Sequence, residues 1–138
     1  MASYGRAHSL VREAAAQFTL ITLRDLRIKR IYDEAHESDG FRVLVDRLWP
    51  RGVSKQRARL DAWMPDLAPS SKLRKWFGHD PARWAEFRQR YRSELAGKPS
   101  LVESIHQRTL DGRVTLLYAA RDPAHNHALV LRNFVRAA

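Results

Sequence analysis

The stretch RVTLLYAA at residues 113–120 constrains the fold more than any other part of the chain. It is apolar without alternation, whereas a strand with one wet face alternates apolar and polar residues. Both faces must therefore be covered, which predicts a central strand of a parallel sheet with helices packed against it. Arg121-Asp122-Pro123 then stops the strand. Aspartate followed by proline is a helix-opening pair, predicting a last helix over 123–136 with Asp122 as its cap.

Two further strands are legible: LRIKRIY at 26–32, suggested by the apolar residues Leu26, Ile28 and Ile31, and FRVLVDR at 41–47, after a turn at 38–40. Pro50 and Gly52 end the second one. Pro65 in LDAWMPDLA, residues 60–68, allows only an edge strand or an extended segment. Helices are predicted over 70–78, between Ser70 and Gly78, and over 80–97, between Asp80 and Gly97. In the second of these, Trp84, Phe87, Tyr91 and Leu95 form the core-facing stripe, and Arg83, Arg88, Arg90 and Arg92 the remaining surface. Ser100 and Glu103 match a capping box for a third helix ending near Thr109. The result is an α/β domain over 26–138, with a small, mainly parallel sheet of about four strands flanked by helices. Residues 1–25 read as an N-terminal appendage, in part disordered.

The chain has 138 residues, enough to bury a core without staples. It has no cysteine, which excludes disulfides, thiolate metal sites and cysteine nucleophiles. No apolar run approaches the length of a membrane span, and the N-terminus lacks the apolar core of a secretory signal. A cytoplasmic location is the expectation. Lys and Arg total 25 against 15 Asp and Glu, a net charge of +10. Such an excess favours encounters with anions, whether phosphorylated metabolites, nucleic acids or acidic lipids, without choosing between them.

Ligands of open α/β sheets bind beyond the carboxyl ends of the strands. There the sequence offers Asp46, Arg47, Trp49 and Arg51 after one strand, and Tyr118, Arg121 and Asp122 at the end of another. Arg47, Arg51 and Arg121 suit a phosphate or carboxylate, because the guanidinium fork donates two parallel bonds. Helical phase turns His127 inward and His125 outward, about 160° apart, which argues against joint metal binding. His127 has two readings, a core histidine bonded to a carbonyl or a general acid–base group working with Asp46 or Tyr118. Trp49 and Asn126 complete the candidate ligand contacts. His79 reads as a loop-ordering residue. No phosphate-binding glycine loop, zinc-helix motif or serine-hydrolase elbow is present.

KRIYDEAHESDGFRVLVDRLWPRGVSK, LRKWFGHDPARWAEFRQRYRSEL and VTLLYAARDPAHNHALVL closely resemble the YeaO-like branch of the domain of unknown function 488, over about Ile28 to Val135. The resemblance implies a small α/β domain and no particular reaction. Relatives in the wider superfamily carry Cys at the position of Tyr118, and Cys-His-Arg at the positions of Asn126, His127 and Ala128. This chain keeps only the histidine of that run, so thiol chemistry does not carry over. The expected function is a small anionic ligand held at the strand ends, with an enzyme using His and Asp as one form of it. A basic nucleic-acid-binding module and an interaction protein with a vestigial pocket are the alternatives. Cofactor identity and a homodimer stay open.

Overall fold

A computed structural model describes residues 25–138. The appendage predicted over 1–25 lies, but for Asp25, outside the described residues. The elements in chain order are β1 (Leu26–Arg30), β2 (Phe41–Leu44), α1 (Lys55–Ala58), β3 (Ala62–Trp63), α2 (Ser71–Phe77), α3 (Trp84–Ala96), α4 (Pro99–Thr109), β4 (Val114–Tyr118) and α5 (His127–Ala137). Four strands form one sheet in the order β1-β4-β2-β3, every neighbouring pair parallel. The chain is an α/β protein.

The apolar run occupies the place its composition demands. All five residues of β4 are buried, and the strand pairs with β1 on one side and β2 on the other. Leu116 faces the main core with Val43, Leu26 and the inner faces of α2 to α5. Leu117 faces a thinner layer of Leu44, Ile31, Val53 and Ala58, covered by α1 and the segment leading to it. Beneath that layer lies a buried polar knot. Arg42 donates to Asp39 Oδ2 at 2.5 Å and to Ala58 O at 2.8 Å, while Thr115 Oγ1 donates to Asp39 O at 2.7 Å. Lys29 closes the knot from β1, 3.1 Å from Asp39 Oδ1. Burial alone would raise the Asp39 carboxyl; the bonds from the His36 amide, Lys29 and Arg42 outweigh it and hold the group below its ordinary range.

Several boundaries differ from the sequence reading. β1 and β2 are shorter than predicted, although Ile31 and Val45 each add one further backbone bond to β4. Residues 60–68 divide into the two-residue edge strand β3 and a tight turn that opens at Pro65. No capping box opens α4: Pro99 takes the first helical position and Lys98 the cap. Glu103 instead accepts from Gln107, 2.7 Å away and one turn further on.

The largest correction concerns the last helix. Asp122 does not cap it. Its Oδ1 accepts from the amides of Ala124 (2.8 Å) and His125 (3.2 Å), closing a turn that precedes the helix. The cap is Asn126, whose Oδ1 accepts from Leu129 N at 3.1 Å. Asp80-Pro81 does the same before α3: Asp80 Oδ1 accepts from Ala82 N, and a short turn over Pro81–Arg83 precedes the regular helix.

Candidate functional site

Residues that follow β2 and β4 converge on one cavity of about 540 Å³. The β2 end contributes Asp46, Arg47 and Leu48; the β4 end contributes Ala119, Ala120, Arg121 and Asp122. His125, Asn126 and His127 bring in the entry to α5, Arg74 and Phe77 come from α2, and Phe87 from the first turn of α3. Ala68, Pro69 and His79 complete the lining. The strand-end location is where the fold class holds ligands.

Hydrogen bonds fix the two strand ends against each other. Asp46 Oδ2 accepts from Ala119 N at 3.1 Å, tying the end of β2 to that of β4. Trp63 from the edge strand donates to Asp46 O at 2.8 Å. Arg30, at the end of β1, donates to Ala120 O and Ala119 O and so holds the stretch that forms the cavity wall. Arg47 lines the cavity with its guanidinium committed to Pro69 O and Ala68 O, a clasp between β2 and the loop before α2.

His127 Nε2 lies 2.9 Å from Val45 O and 3.2 Å from Asp46 Oδ1. A carbonyl only accepts, so the shorter contact requires the proton on Nε2. Nε2 carries one hydrogen, and Asp46 Oδ1 therefore has the histidine as an electrostatic neighbour without a hydrogen bond of its own among the described residues. The edge of Tyr91 backs the ring at a centroid distance of 6.1 Å, and Tyr91 itself is anchored through its hydroxyl to Leu67 O. Burial pushes that hydroxyl well above the usual phenol range.

The later helix start moves His125 off the helix, so the 160° separation does not apply. Its Nδ1 sits 2.7 Å from Asp122 Oδ2, its ring meets Trp84 edge-on at 5.3 Å, and it lines the same cavity as His127. The Ala124 amide, then His125, hold the Asp122 carboxyl below its ordinary range. No group of three or more His, Cys, Asp or Glu suited to a metal ion occurs among the described residues.

Asn126 lines the cavity with its side chain spent. It is buried, its oxygen caps α5, and its Nδ2 donates to Asp122 O and Pro123 O at 3.1 and 3.2 Å. Asn126→Ala should therefore destabilise the protein by about 2 kcal/mol, the upper end for a lost cap, in a urea titration. A change under about 0.5 kcal/mol would show that the capping geometry carries little.

The structure leaves three of the sequence candidates outside the cavity. Tyr118 is buried in the main core, where burial raises its hydroxyl. Trp49 packs edge-on to Trp63 and donates to Val53 O, under the opposite face of the sheet. Arg51 is exposed, its carbonyl accepting from Tyr32. Alternation explains the first case: Tyr118 stands two residues after Leu116 and follows it into the core. Arg74, Phe77, His79 and Phe87 line the cavity without having been expected there. Arg74 and Phe77, one helical step apart on α2, were legible as a shared face.

A family model described as the inactive DUF488-N3 subclade, DUF488-N3i, matches residues 25–138. The chain belongs to this family. Among the curated relatives of this chain is the uncharacterized protein YeaO of Escherichia coli K12, 42% identical over 113 residues, 82% of this chain and 98% of YeaO. An uncharacterized protein of Mycobacterium tuberculosis H37Rv is 44% identical over 108 residues, 77% of this chain and 89% of its own length. The YeaO-like resemblance read from the sequence is thus shown. No solved structure gives a significant match to this DUF488-N3i chain. None of its described helices is long and apolar enough to cross a membrane.

Proposed function

We propose that this protein binds a small phosphate- or carboxylate-bearing ligand in the strand-end cavity, without turning it over. The observation that carries the proposal is an imbalance of partners. Arg74 and Arg121 line the cavity, and their guanidiniums form no hydrogen bond or ion pair among the described residues. The carboxylates of the lining are held within the fold, Asp46 through Oδ2 by the Ala119 amide and Asp122 by two amides and His125. Two unpaired guanidiniums over an apolar cavity favour an incoming anion. The start of α5 on the same wall adds the positive end of a helix dipole.

Binding is favoured over catalysis by the lining itself. Among the described residues it contains no Ser, Thr, Cys, Lys or Tyr to act as nucleophile. The Nε2 proton of His127 is committed to a backbone carbonyl. The word inactive in the family's description fits the same reading. A nucleic-acid surface is less well served, because Arg83 and Arg90 stack on Trp76 and occupy the ring that a base would use.

Calorimetric titration with inorganic phosphate and with acetate at low salt tests the proposal. The expected result is saturable binding that weakens about tenfold or more in Arg121→Ala and again in Arg74→Ala, the worth of one charge-assisted bond each. Absence of binding at millimolar ligand, or equal binding by the double variant, would overturn it.

A further inference from the structure

In the anion-site reading, two guanidiniums account for only two of the sixteen residues that line the cavity. Its volume of about 540 Å³ lies within the range of organic-ligand pockets. Resting on that reading, we propose that the ligand is an amphipathic organic anion: a phosphate or carboxylate head on an aromatic or compact apolar body.

Much of the remaining lining is apolar: Leu48, Ala68, Pro69, Phe77, Phe87 and Ala119. Phe77 and Phe87 stack at 4.3 Å, and Trp84 stacks on Phe87 at 5.6 Å, so the aromatic side is held rigid from behind. Leu48 is 61% exposed at the cavity although large and apolar. Such a residue gains from a ligand that covers it.

Several polar groups that could read a sugar or a nucleobase are spent. Asn126 uses its oxygen and both amide hydrogens within the fold. Arg47 is turned onto the carbonyls of Ala68 and Pro69, and the Ala119 amide is taken by Asp46. A polar ligand body would lose its water and recover few of its hydrogen bonds, whereas an apolar body loses nothing of that kind.

Three probes with the same phosphate separate the possibilities: phenyl phosphate, ribose 5-phosphate and inorganic phosphate, titrated calorimetrically into the full chain. Phenyl phosphate is expected to bind at least about tenfold more tightly than either of the others, as burial of a ring implies. Benzoate should exceed acetate in the same sense. Leu48→Ser, at an exposed position that the fold does not depend on, should narrow the gap between phenyl phosphate and inorganic phosphate. Arg121→Ala should weaken all three phosphates together. Equal affinity for the three phosphates, or preference for ribose 5-phosphate, overturns the amphipathic ligand while leaving the anion site standing. Failure of every phosphate and carboxylate to bind removes both.

Discussion

Gly40→Ala is expected to lower the stability of the protein by about 3 kcal/mol or more, with the urea midpoint falling and the slope unchanged. Gly40 has φ +67° and ψ −134°, a conformation open to glycine and strained for alanine. A Cβ there would stand 2.2 Å from Arg113 O and 2.9 Å from its carbonyl carbon. That oxygen accepts from Phe41 N at 2.9 Å, the bond that opens the ladder between β2 and β4. The obstacle is backbone, so no side chain can rotate away, and relief must come from the central strand itself. Gly52→Ala provides the comparison, because Gly52 shares the positive φ, at +77°, with nothing within 4 Å of the added carbon. It should cost only about 1 kcal/mol. Equal losses in the two variants would mean that the close approach to Arg113 adds nothing.

The second large effect belongs to the neighbouring residue. Asp39→Asn should destabilise the protein by roughly 3–5 kcal/mol at neutral pH, because it leaves the buried Arg42 cation without its counter-charge. Asp39 has a lowered pKa in the folded state. Its stabilising contribution is therefore fully present above the unfolded carboxylate value and is lost as pH falls through the lower folded one. The gap between wild type and Asp39→Asn should stay constant down to about pH 4 and close below it. Urea titrations at several pH values measure this directly. A gap that persists unchanged to pH 2 would show that the charge on Asp39 is not what Arg42 requires.

The sequence made the centre of the fold legible and the entry to its last helix illegible, for identifiable reasons. Residues 114–118 declare themselves because burial on both faces leaves no room for a polar residue with an exposed side chain. The start of α5 is ambiguous because Asp122 and Asn126 are both good caps four residues apart. The structure takes the second, with Asn126 Oδ1 accepting from Leu129 N. Choosing the first put His125 on the wrong side of a helix to which it does not belong. The cavity's location followed from strand direction, and Asp46, Arg47, Arg121, Asn126 and His127 do meet there. Arg51, Trp49 and Tyr118 do not, since proximity in sequence to a strand end leaves the side chain's direction unspecified. Arg74 and Phe87 come from helices whose docking no local pattern encodes.

The strand order has a consequence for how the chain is made. β1 pairs only with β4, and β2 reaches β1 only through it, so partners such as Leu26 and Val114 are separated by about three quarters of the described sequence. A nascent chain that has not yet released residues 114–118 from the ribosome holds two half-sheets with nothing between them. Loop closure over that distance comes before its reward, which places folding on the slow side for a chain of this size. Until then the inner edges of β1 and β2 are open to strands of other chains. The protein is exposed to aggregation during synthesis until its most apolar strand arrives.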